Sequence, residues 1–126
     1  MGSLLLVAAG GALGAVSRYL LSAAMLKRFG AGFPYGTLLV NVLGCFVLGA
    51  LMVWVLDRPD LSEKMRLFMG LGFLGSLTTF STFGYETVFL FEHGSSGQAL
   101  GNVALNLVIG IGAVVAGQLV MRSVSG

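Results

Sequence analysis

Residues 75–83 read Gly-Ser-Leu-Thr-Thr-Phe-Ser-Thr-Phe, five hydroxyl side chains and two phenylalanines in nine positions. They lie inside a long apolar run, where polar groups cost free energy and are kept for packing or for function. Thr79, Thr82, Phe83 and Glu86 are spaced i, i+3, i+4 and i+7, so a helix would put them on one face. Phe80 and Phe83, three apart, are neighbours on the same surface. Gly70, Gly72 and Gly75 come just before. Glycine and β-branched threonine weaken a helix, so the expectation is a break near the middle of the run. A break frees backbone carbonyls and amides, and such groups can hold an ion. The other reading is an intact helix whose hydroxyls bond back to their own carbonyls.

Further polar residues recur at similar depth in the other apolar runs. Thr37, Asn41, Gly44 and Leu48 share a helical face. The Asn41 amide is either an inter-helix hydrogen-bonding group or a donor to an anion. Gly10, Gly14, Ser17 and Arg18 form a second face, and Gly10-x-x-x-Gly14 permits close helix approach. Arg18 either snorkels to the interface or supplies a fixed positive charge that draws anions into a vestibule. Asn102, Asn106, Gly110, Ala113 and Gly117 make a stripe that is polar at one end and small at the other. Glu86 is the one acid inside the runs, and reads as a proton carrier or as a polar anchor for a broken helix. Trp54, near a run's end, reads as an interface anchor. Cys45 reads as packing and His93 as a solvated loop residue.

Elements long enough to hold these positions follow from composition. Of 126 residues, 56% are hydrophobic and 10% charged, whereas a soluble domain carries about 25% charged residues. Mean hydropathy is +0.95. These values argue against a disordered chain, a soluble enzyme or a nucleic-acid binder. One cysteine and one histidine leave no internal disulfide, no cysteine metal cluster and few zinc or triad designs. Charges concentrate at residues 27–28 and 57–66, and four apolar runs lie between and beyond them. A bilayer core needs about 20 helical residues. The expectation is an all-α membrane protein, one domain over residues 1–126, with spans near 3–24, 36–56, 67–91 and 98–121. Gly30, Gly32 and Pro34 mark the first linker, a polar turn over 57–63 the second, with Ser62 a candidate cap, and residues 92–97 the third. The first run lacks the basic n-region and clear cleavage site of a signal peptide.

Lys and Arg hardly distinguish the two sides. Arg58, Lys64, Arg66 and Arg122 fall with the termini, against Lys27 and Arg28, with Arg18 a further candidate. One reading is a fixed topology with weak bias. The other is a chain inserted in both orientations: four short helices have little interior of their own, and two oppositely inserted copies pack as an antiparallel dimer that builds the pathway between them.

Taken together, Gly10-Gly-Ala-Leu-Gly14 with Arg18-Tyr19, Gly36-Thr-Leu-Leu-Val-Asn41, and the 75–83 motif with Glu86 resemble the Fluc (CrcB) fluoride channels of microorganisms. The resemblance runs the whole length of the chain, and the third-span motif is its most specific part. It implies an antiparallel dual-topology homodimer in the cell inner membrane, with a broken third helix and two pores for passive fluoride export. It implies that Phe80 and Phe83 turn ring edges to the anion, that Asn41 donates to it, and that Ser81, Thr82 and Thr37 line the pore. It implies a structural Na⁺ at the dimer interface, held by carbonyls of Gly75 and Thr78 from both copies. Arg18 matches the family's first-helix arginine. Asn106 stands where some relatives carry another polar residue, and an aromatic hydroxyl used there by others is not evident. The implied partners are fluoride, a second copy and the lipid bilayer, with no nucleic acid. Fluoride is small and strongly hydrated, so a selective pore must replace its water with several donors.

The competing reading is a small dual-topology proton-coupled multidrug exporter. That design needs a membrane-embedded carboxylate, usually in the first span, and here the first span has none. A third reading is a non-transporting assembly subunit. An enzyme fits least, because no nucleophile–base pair or metal-ligand set is present.

Overall fold

The computed structural model describes residues 1–125. Four helical spans are long and apolar enough to cross a membrane: Gly2–Phe29, Tyr35–Leu56, Glu63–Glu92 and Ser96–Ser125. No strand occurs among the described residues.

The first helix runs past its apolar stretch and carries Lys27 and Arg28 in its last turn, where cations meet the negative end of the helix dipole. It stops at Gly30, whose φ of 77° suits glycine and whose N–H closes on the Leu26 carbonyl at 2.8 Å. Pro34 then precedes the second helix. At that helix's far end the Arg58 guanidinium lies 4.6 Å from the Trp54 ring centroid and donates to the Trp54 carbonyl. The side chains of Leu61 and Ser62 lie outside the described residues, so the candidate cap at Ser62 does too.

The third span is made of unlike pieces. A short helix, Pro59–Met65, leads into a wide-turned π-helical stretch, Arg66–Leu74, and then into Gly75–Leu77. Thr78 (φ −83°, ψ 157°) and Thr79 (φ −151°, ψ 122°) are extended, and helix resumes over Phe80–Glu92. The fourth span has a shorter π-helical stretch, Leu105–Ile109, between Ser96–Ala104 and Gly110–Ser125.

Glycine sets the packing distances. A Cβ on Gly10 would collide with the Phe68 carbonyl, and one on Gly14 with the Phe73 carbonyl. Gly72 in turn meets the Gly10 backbone, so the first helix and the 66–77 segment touch main chain to main chain. The second and fourth spans are joined the same way. Gly49 faces the Val114 carbonyl, and Gly117 faces the Phe46 carbonyl. A small apolar core of Val40, Leu74 and Leu77 sits where the second and third spans meet.

The two parts of the third span have different neighbours. Residues 66–77 pack on the first helix, whereas Phe80–Glu92 packs mainly on Ser96–Ala104 of the fourth span. The change of partner falls at the extended pair Thr78–Thr79. Only 11% of the first span's most apolar window is buried within the chain, so most of that helix faces outward.

Candidate functional site

The Thr78 N–H still reaches the Leu74 carbonyl at 3.1 Å, helical hydrogen bonding lapses at Thr79, and side chains take its place. In a continuing helix the Thr79 N–H would go to the Gly75 carbonyl. Here it donates to Asn41 Oδ1 at 2.8 Å. Asn41 Nδ2 donates to the Thr79 carbonyl at 3.1 Å, so one amide side chain pairs both polar groups of one residue's backbone. The Thr79 hydroxyl accepts from the Thr82 N–H at 3.2 Å and caps the helix that follows. Arg18 Nε donates to the Ser76 carbonyl at 3.0 Å, bringing positive charge to the end of the preceding helical piece. The Thr78 hydroxyl donates back to Leu74, and its methyl leaves no room for a Cβ on Gly44.

From Asn41 a polar row continues across the fold. Asn41 Nδ2 also donates to Asn106 Oδ1 at 2.9 Å. Asn106 Nδ2 donates to both the carbonyl and Oδ1 of Asn102. Asn102, fully buried, donates to Thr87 Oγ1 at 3.0 Å, and Thr87 donates to the Phe83 carbonyl at 2.8 Å. Three amides from two spans thus hold the first two turns of Phe80–Glu92 at both ends.

A cavity of about 780 Å³ opens on the other side of that helix, between the first helix, the 30–35 linker and the start of the second helix. Arg18, Thr37, Thr82 and Glu86 all line it. The Glu86 carboxylate lies against the Thr37 hydroxyl, and its Oε1 is buried without a hydrogen-bond partner. Glu86 and Arg18 therefore share a wall of hydroxyls and aromatic rings that also includes His93.

The residues singled out in the sequence fall into three places. Asn41 and Asn106 are joined in the polar row. Arg18, Thr37, Thr82 and Glu86 meet at the cavity. Phe80, Ser81 and Gly75 are exposed on the single chain, Phe80 at 78%, while Phe83 is buried at 8%. The two rings lie 5.6 Å apart between centroids, tilted at 55°. Thr78 is half-buried. Among the described residues, no three His, Cys, Asp or Glu side chains gather to hold a metal. Sequence reasoning did not single out Thr87 or foresee the use made of the Thr79 peptide. The available signal was spacing: Thr87 follows Phe83 by four, and Asn106 follows Asn102 by four.

Four membrane-crossing helices around a hydrogen-bonded polar row define a small multi-pass membrane protein. The chain belongs to the family of CrcB-like proteins, Camphor Resistance (CrcB), which it matches over residues 5–118. It is 50% identical over 111 residues to the fluoride-specific ion channel FluC of Dehalococcoides mccartyi, covering 88% of this chain and 85% of that one. It is 46% identical over 124 residues to the protein of that name in Shewanella pealeana, and 45% over 125 residues to that of Caulobacter vibrioides, each covering 98% of both chains.

Proposed function

We propose that this protein is a fluoride-selective channel of the cell inner membrane that lets fluoride leave passively down its own gradient. The observation that carries this reading is near full-length similarity, at 45–50% identity, to proteins named as fluoride-specific ion channels. It is a channel and not an enzyme. The exporter reading gains nothing from these relatives.

The geometry supports a path beside the third-span interruption. Arg18 gives the cavity mouth a positive wall that concentrates anions. Thr37, Thr82 and Ser81 supply hydroxyl donors that can replace fluoride's water. Phe80 and Phe83 offer electropositive ring edges, which attract an anion without the tight hold of a lysine. Both hydrogens of the Asn41 amide are engaged, one on Thr79 and one on Asn106. Asn41 therefore donates to a passing anion by exchanging the Asn106 oxygen for it, and Asn106 belongs to the path as the group that yields. Glu86 lies against Thr37 and anchors the polar wall on the cavity side.

The working form is an antiparallel dual-topology homodimer with two pores and a broken third helix. The balanced Lys and Arg count, the extended Thr78–Thr79 pair and the exposed Gly75 and Phe80 support it. The Gly75 and Thr78 carbonyls, contributed by both copies, suit a structural Na⁺ at the dimer axis. They are hard oxygen donors, and the helical partner of the Gly75 carbonyl is diverted to Asn41. Na⁺ held by these carbonyls would supply the positive charge that keeps the two breaks together.

Purified protein in liposomes, read with a fluoride-selective electrode, tests the function. Fluoride should leave down its gradient at a rate unchanged by a protonophore, with chloride efflux far slower. No fluoride efflux, or efflux that the protonophore abolishes, overturns the reading.

A further inference from the structure

The polar row has a direction, fixed at both ends by backbone groups. The Thr79 N–H can only donate, so the atom facing it must be Asn41 Oδ1. That turns Asn41 Nδ2 toward Asn106 and requires Asn106 to present its oxygen. Asn106 Nδ2 then points to Asn102 Oδ1, which turns Asn102 Nδ2 toward Thr87. The Thr87 hydroxyl, accepting from Asn102, gives its proton to the Phe83 carbonyl, which can only accept. The Thr79 peptide orients Asn41 and the Asn102 carbonyl helps orient Asn106, while each amide side chain reinforces the orientation of the one beside it. Reversing any one leaves two like groups facing each other, in a half-buried setting at Asn41 and Asn106 and a buried one at Asn102.

We infer that Thr87 and Asn102 are positioning residues of the pathway: through Asn106 they reinforce the orientation that the Thr79 peptide gives the Asn41 amide, and through the Phe83 carbonyl they hold that ring's helical turn. Neither needs to touch the ion. Asn102 is fully buried and Thr87 nearly so, and neither lines the cavity. The Asn102–Thr87 hydrogen bond ties Phe80–Glu92 to the fourth span about two turns beyond the break, beside the contact of Glu86 with Thr37 of the second span. A path that discriminates by donor placement is sensitive to such supports. The inference rests on the channel reading for its transport consequence, although the relay itself is a statement about structure.

Thr87→Val keeps the side chain's shape and removes its donor and acceptor together. Two readouts on the same sample test it: fluoride efflux from liposomes, and amide hydrogen exchange over residues 78–83. Thr87→Val should slow efflux about tenfold, because the amide left without an acceptor reorients. It should also raise exchange at 78–83, at the far end of the relay, while the protein elutes as the wild type does. Thr87→Ser should restore both. Asn102→Leu should have the same effects, and the double variant should lose no more than the worse single, because both break one relay. Exchange that rises only beyond residue 87, efflux within twofold of wild type, or losses that multiply in the double variant would overturn the proposal. If wild-type protein passes no fluoride, the channel reading fails, and the exchange pattern alone still decides the relay.

Discussion

Asn41 is the residue on which most depends, because its amide replaces a turn of helix at Thr79 and faces Asn106. Replacing it with aspartate keeps the shape and the oxygen that accepts from Thr79. It removes both N–H donors and sets a negative charge beside the proposed path. In a poorly solvated passage the repulsion of an anion amounts to several kcal/mol, about 4 kcal/mol at 4 Å in an effective dielectric of 20. Asn41→Asp should therefore reduce fluoride efflux at least a hundredfold in protein that still elutes as wild type. Efflux near the wild-type rate would remove Asn41 from the path. Asn41 and Asn106 were legible in the sequence because amides are costly at membrane depth. Their partners were not, since the Thr79 peptide has no signature beyond its residue type and Thr87 looks like any mid-helix threonine that bonds back to its own helix.

At the scale of elements, the first helix and the 66–77 segment are held by close backbone contact at Gly10, Gly14 and Gly72. A valine at position 14 has nowhere to go, since its Cβ would overlap the Phe73 carbonyl. Gly101, by contrast, has open space around it. Gly14→Val should destabilise the fold by about 1–3 kcal/mol or more through overpacking. Gly101→Ala should be neutral or stabilising, by up to about 1 kcal/mol from helix propensity. Thermal unfolding in detergent checks the pair, and equal midpoints would contradict the packing account. The four apolar runs were readable from length and hydropathy. The two π-helical stretches were not, because a wider turn alters neither hydropathy nor residue type. Glycine and threonine composition suggested where the third span would weaken, but only the geometry at Thr78–Thr79 and the Asn41 pairing give that weakness a shape.

For the whole molecule, a single chain leaves much of its middle uncovered. Gly75 and Phe80 are exposed beside the extended pair, and Lys and Arg give no clear orientation. Reporter fusions at the termini should therefore be found on both sides of the membrane in one population. Finding every copy in a single orientation would rule out dual topology. Exchanging Na⁺ for a large organic cation during purification should weaken the dimer or lower fluoride efflux. An unchanged dimer and unchanged efflux after full exchange would count against the ion.

The central claim is that the ion passes the rings beside the break. Fluoride efflux by Phe80→Ile and Phe83→Ile, measured with size-exclusion profiles on the same samples, tests it most directly. Isoleucine keeps an apolar side chain but has no electropositive ring edge. The account predicts wild-type elution with fluoride efflux reduced about tenfold or more in each variant, the loss of roughly 1.4 kcal/mol of barrier lowering. Well-folded variants that both pass fluoride at the wild-type rate would contradict it.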